Sequence, residues 1–321
     1  MTSFQVIRTH TSPYQAKDFL ETERKVISHI PGLDYKLLGE ADLKTPVILI
    51  TNTHTQLSKL APELLAKTKL IIHPNSGYDH FASEKDIIEK IPLIVGHEVR
   101  AQAVAEYSLS CLFEGLSELP QHLSWHAQRD WERPLLKGLP VWIFGHGHIG
   151  SIVARTLAAL GMKVTVVDPY QSSPYKTLRR WQDGNFSEAR VVISCCSLNK
   201  TSQHLFNEEF FAAAHPHLLF INGARGKLVD EKALRVFLQT RSKAMAFLDV
   251  FEQEPFTEDW HHFPQVWKTS HIAGVYKGLD QKIIDFETKV LNDFLKLETD
   301  DFNSLYEKEL LQNKWKQGVL V

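Results

Sequence analysis

The sequence predicts an α/β protein of two domains, on three observations. The chain has 321 residues, more than one ordinary core holds. Short apolar runs alternate with helical patterns along most of its length, which argues for parallel sheets covered on both faces. One strand-to-helix junction, at 145–150, carries the glycine-rich turn GHGHIG.

Taken in order, the first hundred residues hold strand candidates at FQVIR (4–8), YKLLG (35–39), PVILITN (46–52), KLIIHP (69–74) and PLIVG (92–96). PELLAKT (62–68) is helical, and residues 101–118 make a long amphipathic helix leading out of this first unit. The second half alternates more clearly. VWIF (141–144) is a short buried strand, and residues 149–160 form a helix with Ile149, Ile152, Val153, Leu157 and Leu160 on one face. Gly161 ends that helix in the left-handed conformation. KVTVV (163–167), RVVISC (190–195), LLFIN (218–222), AMAFLDV (244–250) and VWKTS (266–270) are further strands, with a helix at 230–240.

Composition limits the functions available. The chain is 43% hydrophobic and 23% charged, as in soluble globular proteins, with a formal net charge of -2 and no long run of one sign. That excludes a polyanion binder or a polybasic membrane anchor as an expectation, so no nucleic acid and no membrane is assigned as a partner. The start lacks a signal-peptide pattern, and no stretch approaches the roughly 20 apolar residues that span a bilayer. Cys111, Cys195 and Cys196 read as small core hydrophobes rather than a disulfide framework, and a cytoplasmic location follows as the simplest expectation. Sixteen histidines include close pairs, but no metal-ligand spacing accompanies them, and no metal is assigned.

The glycine turn has two readings, a tight turn without a ligand or a dinucleotide-binding loop. Its setting favours the second. It follows a strand, opens a helix and precedes a strand that ends in Asp168. Gly145 allows the tight turn, Gly147 a close approach of backbone to pyrophosphate, and Gly150 close packing of helix on strand. The helix N-terminus offers free N–H groups to phosphates, which places His148 and Ile149 at the cofactor; His146 reads as an ordinary loop residue. Asp168, eighteen residues past Gly150, is placed to accept from both ribose hydroxyls and to repel a 2′-phosphate, so NAD is the expected cofactor.

INGARGKLVDEKAL (221–234), LDVFEQEP (248–255) and TSHIAG (269–274) each follow a predicted strand, and strand ends of a doubly wound sheet meet at the cofactor crevice. Taken singly, Arg225 is an ordinary surface arginine, Glu254 a residue before a proline and His271 a core histidine. Taken together they suit hydride chemistry. A guanidinium grips a carboxylate and polarises a neighbouring carbonyl, an imidazole exchanges a proton with the developing alkoxide, and a carboxylate fixes that imidazole's tautomer.

In these motifs the chain resembles the D-isomer-specific 2-hydroxyacid dehydrogenases. The resemblance covers nearly the whole chain and is strongest from about 100 to 275. It implies an NAD-dependent oxidoreductase of small 2-hydroxy or 2-keto acids, with Arg225 as substrate clamp, His271 as acid/base and Glu254 as its partner. It implies that Ser76 and Gly77 in NSGYDHF offer backbone N–H groups to the substrate carboxylate, and that Cys196, Gly223, Ala224, Asp249 and Gly274 lie along the cofactor. It also implies a Rossmann NAD-binding domain at 103–280, inserted into a smaller flavodoxin-like substrate domain of residues 1–102 plus 281–321. A homodimer is implied as well, paired through the helix near 105–118 and the loop 126–138.

Departures from the family pattern bear on the substrate. GYDHFA stands where many members have GxDNID, CCSLNKTSQHLFN replaces a threonine- and proline-rich stretch, and TSHIAG replaces TPHIAG. EYSLSCL and TSHIAG resemble erythronate-4-phosphate dehydrogenase. Only fifty residues follow His271, however, too few for that enzyme's dimerisation region, and ITNTHTQ (50–56) lacks an arginine for a phosphorylated substrate. Glu254 argues against formate dehydrogenases, which have glutamine there. An NAD(H)-sensing, corepressor-like binding protein is the alternative from a different class. Arg100 reads as a solvated loop residue, with recognition of a second anionic group as the other reading.

Overall fold

A computed structural model describes residues 3–117, 119, 123–129, 131, 133–256 and 258–321. Glu118, at the end of the predicted 101–118 helix, lies outside the described residues, as do Asp130 and Glu132 in the 126–138 loop. The chain divides into two units, Met1–Arg100 with Tyr276–Val321, and Ala101–Val275. The second unit thus interrupts the first.

In the first unit, β1 (Phe4–Arg8), β2 (Leu33–Leu37), β3 (Val47–Ile50), β4 (Thr68–His73) and β5 (Leu93–Val95) form one sheet in the order β2-β1-β3-β4-β5. All four pairings are parallel, and the order is that of flavodoxin-like folds. Runs such as VILI in β3 are apolar throughout because both sheet faces are covered. Val6, Ile48, Ile50, Ile72 and Ile94 pack on one side, with Phe19 and Ile27 of α1 (Phe19–Ser28). Ile7, Leu49, Ile71 and Val95 pack on the other, with Leu64 of α2 (Pro62–Lys67) and Ile88 of α3 (Lys85–Ile88).

The long helix α4 spans His97–Ser117, four residues earlier than its apolar periodicity predicts. Its first turn is polar in sequence yet buried: His97 is 7% and Arg100 9% exposed. Arg100 is therefore not a solvated loop residue, which corrects the sequence reading. Its guanidinium donates to Asn75 Oδ1 and to the Tyr14 hydroxyl and stacks over the Tyr14 ring. Local sequence hides this, because the burying partners lie 25 and 86 residues away.

The second unit is a seven-stranded parallel sheet. Its strands are β6 (Pro140–Phe144), β7 (Lys163–Val167), β8 (Lys176–Leu178), β9 (Val191–Ser194), β10 (Leu219–Asn222), β11 (Met245–Leu248) and β12 (Val266–Lys268). The order β12-β11-β10-β9-β6-β7-β8 is the doubly wound Rossmann arrangement, and strand order reverses between β6 and β9. Only β8 escapes the sequence pattern, since it is a three-residue edge strand without a fully buried position. One face carries Ala105, Leu112 and Leu116 of α4 and Val153 and Leu157 of α5 (His148–Ala159). The other carries an aromatic-rich core with Phe210 of α6 (Glu208–Ala212) and Phe237 of α7 (Glu231–Thr240). The chain then returns to the first unit through α8 (Leu279–Lys296) and α9 (Thr299–Leu305), and ends in a short antiparallel pair, β13 (Trp315–Lys316) and β14 (Val319–Leu320). Among the described residues no helix is long and apolar enough to cross a membrane.

Candidate active site

The GHGHIG turn joins β6 to α5 at the point where strand order reverses. Gly145 has φ +92°, in the left-handed region that favours glycine. A Cβ at Gly150 would stand 2.0 Å from the Gly145 carbonyl oxygen, so a side chain there is incompatible with this packing of helix on turn. Gly147 caps α5, and a Cβ on it would meet nothing within 4 Å. The first N–H groups of α5, those of His148, Ile149 and Gly150, have no intrahelical acceptor. Open space in front of such a helix end is a cradle for a pyrophosphate. The residues therefore fit a dinucleotide on the geometry of the turn itself.

Asp168 ends β7 beside this turn. Its carboxylate accepts from His146 N at 2.8 Å, Tyr170 N at 2.8 Å and Gln171 N at 2.9 Å. Two of these bonds fall on Oδ1 and one on Oδ2, which fixes the carboxylate and leaves acceptor capacity on Oδ2. His146 thus contributes its backbone, not its ring, to the site. Cys195 and Cys196 follow β9 and pack into opposite cores, as alternation along a strand requires. Both are free thiols; burial pushes the Cys196 thiol up to about 12 and the Cys195 thiol up as well. A Cβ on Gly145 would touch the Cys196 backbone at 2.7 Å, which places Cys196 against the turn.

Arg225 lies on the loop after β10, organised by a residue the sequence reading did not single out. Asn222 is fully buried; its Nδ2 donates to the Arg225 carbonyl at 3.0 Å and its Oδ1 accepts from Ala224 N at 3.2 Å. The motif INGARG contains it, so its place at a strand end was the available sign. Gly223 and Ala224 are half-buried on the same loop. Gly226 locks this loop to the next: a Cβ there would lie 1.9 Å from the Phe251 carbonyl carbon and oxygen. Gly226→Ala is therefore expected to destabilise this unit by about 3 kcal/mol and to lower its Tm by roughly 6–12 °C. A thermal melt of the variant matching the parent would contradict that packing.

Glu254 and His271 meet directly. His271 Nδ1 is 2.9 Å from Glu254 Oε2, with the side chains 52% and 41% exposed. Glu254 Oε1 also accepts from Phe251 N at 3.2 Å, which orients the carboxylate. His271 has φ +55°, a conformation uncommon for a non-glycine residue and one that costs energy. Asp249 supports it. The Asp249 carbonyl accepts from His271 N at 2.8 Å, and its carboxylate accepts from Ile272 N at 2.7 Å and Ala273 N at 2.8 Å. Asp249 is fully buried, so its charge is met by the loop it holds. Gly274 closes this loop and is half-buried.

Ser76 and Gly77 lie in the first unit, on the loop after β4, and both are half-buried. His73, at the end of β4, is fully buried and steadies that loop: its Nε2 lies 3.0 Å from the Gly77 carbonyl oxygen and its Nδ1 3.0 Å from Thr51 Oγ1. Burial first, with His80 next, pushes His73 down to about 3, so the ring is neutral at physiological pH. Among the described residues, no group of three histidine, cysteine or acidic side chains could hold a metal ion.

Residues 110–273 match the D-isomer specific 2-hydroxyacid dehydrogenase, NAD binding domain. The (S)-sulfolactate dehydrogenase of Chromohalobacter salexigens is 30% identical over 252 residues, 73% of this chain and 78% of that one. The D-3-phosphoglycerate dehydrogenase of Methanocaldococcus jannaschii is 26% identical over 223 residues, 66% of this chain but only 43% of that longer relative. The crystal structure of D-lactate dehydrogenase from Aquifex aeolicus, complexed with NAD and lactic acid, superimposes with a TM-score of 0.71 at 22% identity, covering 96% of this chain and 99% of that one. At that identity the likeness speaks for the fold.

Proposed function

The chain belongs to the D-isomer specific 2-hydroxyacid dehydrogenase family, and we propose that it is an NAD-dependent oxidoreductase interconverting a small 2-keto acid and its 2-hydroxy acid. The observation that carries this reading is the 2.9 Å contact of His271 with Glu254, on the same unit as the glycine turn and Arg225. Arg225 is the substrate clamp, binding the carboxylate through two parallel hydrogen bonds and polarising the keto oxygen. Ser76 and Gly77, on the first unit, offer backbone N–H groups to a substrate carboxylate. His271 donates Nδ1–H to Glu254, which leaves Nε2 to deliver its proton to the developing alkoxide and to recover it in the reverse direction. Glu254 holds the ring in that tautomer and carries the counter-charge. Gly145, Gly147, His148, Ile149, Gly150, Asp168, Cys196, Gly223, Ala224, Asp249 and Gly274 would hold NADH, which when bound would supply the hydride.

Asp168 favours NAD over NADP, because a 2′-phosphate beside a fixed carboxylate is repelled. A homodimer is part of the same reading. Its support is the exposure of Leu123, Trp125 and Leu135 on the second unit, 82%, 83% and 71%.

The test is NADH oxidation by purified protein against glyoxylate, pyruvate, hydroxypyruvate, a branched-chain 2-keto acid and 2-oxo-3-hydroxy-4-phosphobutanoate, with NADPH in parallel. Turnover on one of these with NADH preferred is the expected result, and Asp168→Ala should narrow that preference. Binding of NADH without turnover on any 2-keto acid would replace the enzyme reading with that of a sensor.

A further inference from the structure

Tyr107 lies on α4, within the stretch EYSLSCL and remote in sequence from the glycine turn and from Arg225, Glu254 and His271. Its hydroxyl is 2.6 Å from Thr269 Oγ1, and Thr269 Oγ1 donates to Asp249 Oδ1 at 2.6 Å. The geometry of the first contact leaves the donor open, but the chain of bonds decides it. An ionised carboxylate accepts only, so the single Thr269 proton goes to Asp249, and Tyr107 must donate to Thr269. Burial pushes the Tyr107 phenol above its ordinary range, so it keeps that proton. The relay ends on the carboxylate that holds the amides of Ile272 and Ala273, next to His271 at its positive φ. The Tyr107 ring, in turn, flanks the loop after β10: a Cβ on Gly223 would stand 3.6 Å from Tyr107 Cδ1.

We propose that Tyr107 is a positioning residue for the reaction, fixing the His271 loop through Thr269 and Asp249 while its ring sets the wall beside Gly223. This rests on the reading of His271 as the acid/base. The hydroxyl touches neither His271 nor the reacting atoms; it saturates Thr269, whose own hydroxyl saturates one oxygen of Asp249. Without the Tyr107 donor, Thr269 has an unmet acceptor and is free to turn away from Asp249. The carboxylate then loses one of the groups that hold it against the 269–273 loop.

Tyr107→Phe keeps the ring and removes only the donor. It is expected to lower kcat on the order of 10-fold, less than the roughly 10²-fold cost of a 1 Å misplacement, with KM for NADH unchanged. Amide exchange at Ile272 and Ala273, followed by mass spectrometry on the intact protein, should speed up on the order of 10-fold in the same variant. Thr269→Val should act alike, Thr269→Ser should restore the parent behaviour, and the Tyr107→Phe/Thr269→Val pair should lose no more than either alone, because both cut one relay. Parent-like kcat and exchange in Tyr107→Phe would overturn the proposal, as would losses that multiply in the double variant. If His271→Asn itself retained turnover, the acid/base reading would fall, and the exchange experiment would still decide whether Tyr107 holds the loop.

Discussion

Replacing His271 with Asn is expected to lower kcat by about 10²–10⁴-fold, the contribution of a positioned general acid, while NADH binding stays intact. Asparagine suits this position because it tolerates the left-handed backbone that His271 adopts at φ +55°. It occupies similar space and cannot deliver a proton. The side chain is half exposed, and the loop hangs on Asp249 rather than on the ring, so the variant should fold as the parent does. Stopped-flow turnover together with a fluorescence titration of NADH separates the two effects. Equal turnover in parent and variant would remove His271 from the mechanism. Glu254→Gln should fall between the two: the amide can still accept from Nδ1–H, but it brings no charge to the protonated ring.

The largest effect on stability is expected at Arg8, in the first unit. Arg8, Glu23, Glu287 and Tyr35 form a buried network between β1, α1, α8 and β2, and none of the four is more than 4% exposed. Arg8 Nε donates to Glu23 Oε2 at 3.2 Å, and Arg8 Nη2 donates to both Glu23 and Glu287. The Tyr35 hydroxyl donates to Glu23. Two carboxylates face one guanidinium out of reach of water, so one of them is held neutral. Burial raises Glu287 well above the ordinary carboxylate range, against the pull of Arg8. Glu23 lies below that range: burial raises it, but the Arg8 charge together with hydrogen bonds from Glu287, Arg8 and Tyr35 outweighs burial. Arg8→Ala strips the compensation from Glu23 and should cost about 3–5 kcal/mol. Glu287→Gln replaces a carboxylic acid by a neutral amide of the same shape and should be close to neutral at pH 5.

The pH dependence follows in sign. Glu287 binds its proton more tightly folded than unfolded, so its stabilising share is complete below its unfolded value of about 4.5 and declines as pH rises above it. Glu23 behaves oppositely, and its share declines as pH falls below that value. Between pH 5 and 8 the Glu287 share declines and the Glu23 share is constant, while buried His73, held neutral when folded, adds stability as pH rises through its unfolded value of 6.5. Urea unfolding at these two pH values should therefore show Glu287→Gln gaining stability relative to the parent as pH rises. An equal change in both would mean that Glu287 is ionised when folded.

Much of this protein can be read from sequence because the causes are local. Apolar runs such as VILI and VWIF name the buried strands, since a strand covered on both faces needs no polar residue. GHGHIG names its turn, since only glycine accepts φ +92° at Gly145 and the 2.0 Å approach at Gly150. Arg225, Glu254 and His271 are visible because each follows a strand whose end the topology sends to one edge of the sheet. The tertiary structure alone decides the rest. Arg100 looks solvated in a polar stretch and is buried by Asn75 and Tyr14. Tyr107, Asn222 and Thr269 look ordinary until the fold places them on the Asp249 and Arg225 loops. Arg8, Glu23 and Glu287 are spread over 279 residues of chain, and they meet in one buried network only in the fold. Periodicity and glycine chemistry act within a few residues of chain. Buried polar groups find partners in three dimensions, and no local pattern records which partner that is.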